Sequence, residues 1–460
     1  MHGEKLNTHL QSLRRLVTCL LAAGSIALAS ERRPNIVFVL VDDLGYADLG
    51  AYGASDIRTP HLDRLAREGI RFSDFYANAP VCTPTRCAFM TGRWQQRYGL
   101  EYAMGFAAEN FRRKNGELVP EPDMHALGLA AETITLPKLL KRAGYRTQAL
   151  GKWHLGYRDE YNPLHHGFDG YFGELLGHAD YYTHAYYDGT YALRDGLEPV
   201  RVKGYLTDLI NQRAVDFVAK HGREPFFLYV AHLAAHAPYQ PPGRPLPSVT
   251  KENMNEGSRG IYAHMVERID DGIGMLRAEL ERQQVLDNTL FVVSSDNGGA
   301  HFSDNAPLFN RKTTLWEGGI RVPCIMRWPG RLPEGRMSSQ VAITMDLTRT
   351  FARAAGLSPA ETQDMDGIDL IAALQTPERE TARTLFWRVN NSLRRQKAVR
   401  HDRWKYVQDS NVDLLFDLRS DIAERRDLSA LHPDVLRDIK RRLAEWETLL
   451  AIETPPILVR

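Results

Sequence analysis

The chain has 460 residues, with 58 Lys and Arg against 57 Asp and Glu, and this balance argues against nucleic acid or an anionic membrane as a bulk partner. Apolar residues at 43% and charged residues at 25% are ordinary for a globular protein, and the length suits one large α/β domain with a smaller appendage. Any preference for an anion must come from a local site.

In chain order, Arg14 and Arg15 precede an apolar run from Leu16 to about Ala29 that closes on Ala27-Leu28-Ala29. A charged flank, a short apolar stretch and small residues at its end read as a signal peptide over residues 1–29, short of the roughly 20 residues a spanning helix needs. The expected protein is periplasmic or secreted, with no stable membrane anchor. Removing the leader takes Cys19 away and leaves Cys82, Cys87 and Cys324, an odd number for an oxidising compartment.

Asn35 to Val41 (NIVFVLV) is apolar without alternation, as expected of a parallel strand buried on both faces, and Asp42-Asp43 follow at its carboxyl end. Thr59-Pro60 then opens a helix that Gly69 ends, with Thr59 as the expected cap. Between them and the next helix, CTPTRCAFMTGR at 82–93 leaves a disulfide, a metal site, a nucleophile and coincidence all open. A helix from Thr135 to about Ala143 leads into a strand from Arg146 to Leu150, which delivers Gly151-Lys152-Trp153-His154. A helix near Thr207 to Lys220, a strand Phe226 to Val230, a helix near Ile261 to Gln283 and a strand Leu290 to Ser294 follow, the last delivering Asp296-Asn297. This alternation predicts a doubly wound, mainly parallel α/β sheet with helices on both faces.

From about Pro359 the texture changes. Short strands at Thr384 to Val389, Arg403 to Val407 and Leu414 to Asp417 lead into an amphipathic helix from Pro433 to about Leu450. We therefore expect a catalytic domain over 30–358 and a C-terminal α+β subdomain over 359–460, the latter with a four-stranded antiparallel sheet and a terminal helix.

Asp42, Asp43, Asp296 and Asn297 stand at the carboxyl ends of predicted strands, where ligands bind in open α/β sheets. Three carboxylates and an amide oxygen suit a hard cation, Ca²⁺ or Mg²⁺, and no soft-ligand cluster suggests zinc or iron. Arg86, Lys152, His154, His236 and Lys312 would surround such an ion with a basic cup suited to a tetrahedral oxyanion. Each has a bland alternative as a turn residue or a solvated charge.

The segments PNIVFVLVDDLGYADLGAYG, CTPTRCAFMTGR, GKWHLG, SSDNGG and RKTTLWEGGIRVP, in this order, resemble the type I sulfatases from about Pro34 to Pro329. GFDGYFGELLGHADYYTH further resembles the arylsulfatase B branch, which removes 4-sulfate from N-acetylgalactosamine. The resemblance implies an alkaline-phosphatase-like fold and a sulfuric ester hydrolase. It makes Cys82 the precursor of formylglycine, converted by a maturation enzyme, and Asp42, Asp43, Asp296 and Asn297, with the modified residue 82, the ligands of Ca²⁺. Arg86 would steady the hydrate, Lys152, His236 and Lys312 would bind sulfate, and His154 would take a proton as a sulfated enzyme intermediate breaks down. His236 or Lys312 would protonate the leaving oxygen. Thr85 stands where the family more often has serine.

The insertion Glu101 to Ala131 and the aromatic stretch His178 to Tyr187 are candidate walls of a sugar pocket, the latter reading equally as a loop packed on its own domain, and the expected substrate is a sulfated carbohydrate cleaved at a terminal residue. The competing readings are a phosphate or phosphonate ester hydrolase on the same scaffold, an arylsulfatase, and an unmatured glycan-binding protein that keeps Cys82 as a thiol.

Overall fold

Asn35–Val41 (β1) is buried along its whole length and belongs to two cores at once. Val37, Val39 and Val41 face one cluster, and Ile36, Phe38 and Leu40 face another. Period-two alternation with both faces apolar is the reason the strand reads as an unbroken hydrophobic run. The structure is a computed structural model and describes residues 33–104, 111–114, 117–120, 128–186, 188–245, 249–375, 383–390 and 395–451. The expected signal peptide and parts of the 101–131 insertion lie outside the described residues.

Among the described residues, a ten-stranded sheet is built on β1. Its other strands are β2 (Ile70–Phe72), β3 (Arg146–Gly151), β4 (Gly170–Glu174), β5 (Leu193–Asp195), β6 (Glu198–Pro199), β7 (Phe226–His232), β8 (Thr289–Ser295), β9 (Cys324–Arg327) and β10 (Arg336–Ser338). The order is β10-β2-β9-β8-β1-β7-β3-β4-β5-β6, and the five strands from β8 to β4 run parallel. Helices α1 (Pro60–Arg67), α2 (Cys82–Thr91), α3 (Leu136–Arg142), α4 (Leu206–His221), α5 (Arg259–Arg282) and α6 (Thr344–Ala354) cover it. Leu62 and Leu65 of α1, Ile210 of α4 and Ile269 of α5 pack on one face. Phe89 of α2, Leu140 of α3 and Phe351 of α6 pack on the other. This is the expected doubly wound, alkaline-phosphatase-like architecture.

Register decides where the site lies. Val41 pairs with Ser295 on β8 and with His232 on β7, and Ala231 pairs with Gly151 on β3. The residues that follow these strands therefore emerge side by side, a strand spacing of about 5 Å apart.

The C-terminal sheet contains β11 (Thr384–Asn390), β12 (Arg395–His401), β13 (Trp404–Asp409) and β14 (Val412–Asp417), all antiparallel neighbours. Helix α7 (Pro433–Ala451) buries Ile439, Leu443, Trp446 and Leu450, one stripe at helical spacing, in the same core as Trp387 and Val399. That core also takes in Tyr76, Ala88 and Met345 from the first part of the chain, so the sheet shares a core with the main body.

One expectation needs correction, and one open alternative closes. Thr59 stands before α1 but makes no side-chain cap. Its hydroxyl accepts from Gly50 N and donates to Asp63, while Asp270 of α5 takes the first amides of α1, His61 and Leu62. No disulfide joins Cys82 to Cys87; both, like Cys324, are free and buried.

A buried ionic knot ties the C-terminal sheet down. Lys405 Nζ lies 2.7 Å from Glu317 and 3.2 Å from Glu424, and Arg321 lies 3.0 Å from Glu317. Burial would raise the Glu317 carboxyl, but Lys405, Arg321 and Arg400 outweigh it and hold it at about 2. Removing one partner strands a buried charge. Lys405→Met should therefore cost about 3–5 kcal/mol in urea unfolding at neutral pH; a loss within about 0.5 kcal/mol, as at an ordinary surface site, would contradict this.

Candidate active site

Cys82 is the first residue of α2, so its side chain sits at the positive end of a ten-residue helix. Val81, the residue before it, provides no side-chain cap. Thr85, one turn on, is fully buried and its hydroxyl accepts from Ala79 N at 3.0 Å. Threonine keeps the hydroxyl that serine would supply. Thr83 donates to the carbonyl of His154 at 3.1 Å, which fixes the helix start against the loop after β3.

Arg86 lies one turn inside α2 and is wholly buried. Its guanidinium donates to Asp296 from Nε at 3.0 Å and Nη2 at 2.8 Å, to Asp42 at 3.3 Å, and to the Lys152 carbonyl at 2.8 Å. One side chain thus spans the ends of β8, β1 and β3. Lys152 Nζ pairs with Asp42 on the same oxygen that Arg86 reaches. Lys312 Nζ pairs with Asp43 at 2.6 Å, and Asn297 donates to the same Asp43 oxygen at 2.7 Å.

These contacts set the charges. Burial would push Asp42 up, but Lys152, His236, Arg86 and Lys312 hold it far below the ordinary carboxylate range. Burial and then the charge of Asp42 raise Asp296 to about 6. Burial opposes the charge on Lys312, yet Asp43 outweighs it and the ammonium is held above its usual value. Three carboxylates face Arg86, Lys152 and Lys312.

His154 is buried and His236 half-buried, and both are held neutral, pushed down by burial and then by lysine charge. His154 Nε2 lies 2.7 Å from the Met104 carbonyl, so it carries the proton and Nδ1 is the basic atom. His236 has the opposite tautomer: Nδ1 donates to the Ala237 carbonyl at 2.5 Å, and Nε2 lies 3.8 Å from Asp43. Asp43, His154 and Thr313 hold φ near +60°, +56° and +74°, the left-handed region that side-chain-bearing residues avoid. Strain of this kind gathers where surrounding structure fixes a functional residue. Here Lys312 N is tied to Gly299 and Thr313 N to Pro80, at 3.1 and 2.8 Å.

Three buried oxygens in this group, Asp42 Oδ1, Asp296 Oδ1 and Asn297 Oδ1, accept no hydrogen bond. Each belongs to a side chain whose other polar atom is engaged. Asp42, Cys82 and Asp296 bring ligand atoms within 4.8 Å of one another, as do Asp42, Asp43 and His236. Unpaired buried acceptors converging beside the further carboxylate of Asp43 fit a hard divalent cation.

The chain matches the family model described as Sulfatase over residues 34–357. It belongs to the sulfatase family. A second model, N-sulphoglucosamine sulphohydrolase, C-terminal, matches residues 307–448. This sulfatase is 38% identical to the N-acetylgalactosamine-6-sulfatase of Canis lupus familiaris, over 78% of this chain and 69% of that protein. It is 30% identical to arylsulfatase J of Mus musculus, over 93% of this chain and 78% of the relative. Its structure is similar to that of Ps i-CgsB in complex with k-i-k-neocarrahexaose, at 32% identity and a TM-score of 0.79, over 90% and 93% of the two chains. A phosphonate monoester hydrolase of Agrobacterium radiobacter shares the fold at 19% identity and a TM-score of 0.62, over 91% and 96% of the two chains. The protein is a sulfuric ester hydrolase, and the family implies formylglycine and a divalent metal.

Every charged group singled out in the sequence lies in this one cluster, but the aromatic stretch behaves differently from the expected sugar platform. Tyr181 and Tyr186 are buried, and Tyr181 stacks on Tyr205. The Tyr181 hydroxyl donates to the His236 carbonyl at 3.0 Å, so the loop braces the site from behind. Tyr187 lies outside the described residues. Sequence reasoning passed over Glu174, a fully buried carboxyl that burial raises well above its usual range and that Lys152 partly offsets. It ends β4, and position at a parallel strand end was the available signal.

Adding a divalent cation to metal-stripped protein should raise the unfolding midpoint. Saturation at 100 times the dissociation constant corresponds to about 2.7 kcal/mol. Asp296→Ala should remove the increment in scanning calorimetry; an undiminished increment would place the ion elsewhere.

Proposed function

We propose that the enzyme removes sulfate from a sulfated glycan, acting at a terminal residue, with Cys82 converted to formylglycine by a dedicated maturation enzyme. The observation that carries the reading is Cys82 at the positive end of α2, grouped with Asp42 and Asp296 and backed by Arg86. A hydrated formylglycine would supply one hydroxyl to attack sulfur and a second whose deprotonation expels sulfate, so no water need attack a covalent ester. A divalent ion, which we assign as Ca²⁺ from the all-oxygen set Asp42, Asp43, Asp296 and Asn297, would withdraw charge from the sulfate oxygens.

The chain's own residues do the remainder. Arg86 fixes the two aspartates and stays paired, so it orients and does not bind substrate. Lys152 and Lys312 keep their charge and neutralise the non-bridging oxygens. Neutral His154 offers Nδ1 as the base that accepts a hydroxyl proton at residue 82. His236 and Lys312, both against Asp43, are the candidates to protonate the departing oxygen. We assign catalysis to residues 30–358, with 359–460 as the C-terminal subdomain, in a periplasmic or secreted enzyme.

The glycan assignment rests on relatives named for N-acetylgalactosamine sulfate and on the neighbour bound to k-i-k-neocarrahexaose. Sulfate release from 4-O- and 6-O-sulfated N-acetylgalactosamine should exceed release from simple aryl sulfates in kcat/KM, and the reverse order would overturn it. Cys82→Ala should lower kcat by at least about 10³-fold, since the nucleophile is lost. Lys312→Met and His236→Ala are expected to separate. Loss of the proton donor should cost about 10²–10⁴-fold on a sugar sulfate and far less on a nitrophenyl sulfate. Equal losses on both esters in both variants would remove the two residues from that role.

A further inference from the structure

An open pocket of about 590 Å³ is lined by the 300–311 segment, which leads directly into Lys312, and by Arg425 of the C-terminal region. This is within the size range of small-ligand pockets. Arg311 and Arg425 are the two cations in its lining. Arg311 immediately precedes Lys312, whose ammonium holds Asp43. The Tyr239 phenol feels the charges of Asp43, Lys312, Asp42 and Arg311, so the arginine belongs to the same electrostatic field as the catalytic cluster. The Arg425 guanidinium is itself stacked over the Phe309 ring at 4.7 Å, which orders the fork while its in-plane edge donors meet no carboxylate among the described residues.

Both arginines are exposed, and among the described residues neither forms an ion pair with a carboxylate. Asp304 is the one carboxylate among the residues lining the cavity, and its Oδ1 is already occupied by Ala306 N at 2.8 Å. Two guanidinium forks that line one pocket and meet no carboxylate among the described residues, one of them adjoining Lys312, suit a planar carboxylate or a tetrahedral sulfate. In a chain whose net charge is only +1, such a local pair is how an anion preference can arise.

We propose that this cavity is a subsite for a second anionic group on the substrate, carried by the sugar next to the one that loses its sulfate. The inference rests on the reading of Lys312 as a sulfate-binding residue. It makes the enzyme selective for glycans charged on neighbouring residues, with Arg311 and Arg425 setting that selectivity.

The test uses matured enzyme and three disaccharides that share the scissile sulfate. Their second sugar is neutral, sulfated or a uronate. Wild-type kcat/KM should be about 10- to 100-fold higher for at least one charged disaccharide than for the neutral one, the range expected of a charge-assisted contact. Arg311→Gln combined with Arg425→Gln should bring that ratio close to one. The sulfated and uronate arms identify the anion. The single variant Arg311→Lys, which keeps charge and loses the fork, should lower the ratio by a smaller factor and covers a fold defect in the double variant. A wild-type ratio near one, or a ratio that survives both substitutions, would overturn the proposal. Absence of sulfate release from all three would instead sink the hydrolytic reading. Calorimetry with the charged desulfated disaccharides would then decide the subsite alone, by tighter binding than the neutral analogue that the double variant abolishes.

Discussion

The site depends on one buried arginine. Arg86 has no exposure to solvent, and burying a lone guanidinium would cost several kcal/mol. The cost is offset only because its donors meet Asp296, Asp42 and the Lys152 carbonyl. Each acceptor stands at the end of a different parallel strand, so the ion pair acts as a clamp on the strand order. Take the arginine away and the Asp42 and Asp296 carboxylates, already close enough to share a ligand, face each other with less compensation. The same clamp sets the distance from α2 to the sheet, and α2 begins at Cys82.

Everything else serves to hold that geometry still. β1 is packed on both faces, which fixes the height at which Asp42 and Asp43 leave the sheet. The loop carrying His236 is braced by Tyr181, and that carrying Lys312 by its backbone bonds to Gly299 and Pro80. Among the residues held at positive φ, Asp43, His154 and Thr313 are each at or beside a group with a chemical role. Packing energy from the two cores keeps these conformations in place.

Much of this was legible from local pattern. The apolar run at Asn35–Val41, the polar residues after it and the Asp296-Asn297 pair after β8 announced a parallel sheet and a site at its carboxyl edge. Register and strand order were not legible, because Val41 meets Ser295 across 254 positions of chain, and nothing local encodes that pairing. The β12 strand was passed over because Arg395–His401 is mostly polar and alternates with only a short apolar stretch. The failed cap at Thr59 has the same origin: Asp270, from a distant helix, took the amides first. Tyr181 and Tyr186 read equally as a sugar platform or as core, and only tertiary packing, of Tyr181 on Tyr205 and of Tyr186 on Tyr157, decided for core.

The central claim is that residue 82 is a cysteine made into an aldehyde at the helix start. It is tested most directly by the mass of the tryptic peptide Phe72 to Arg86 from protein produced with the maturation enzyme. The account predicts the mass of formylglycine at position 82. An unmodified thiol at Cys82 in protein from its native host would contradict it and leave a glycan-binding protein in its place.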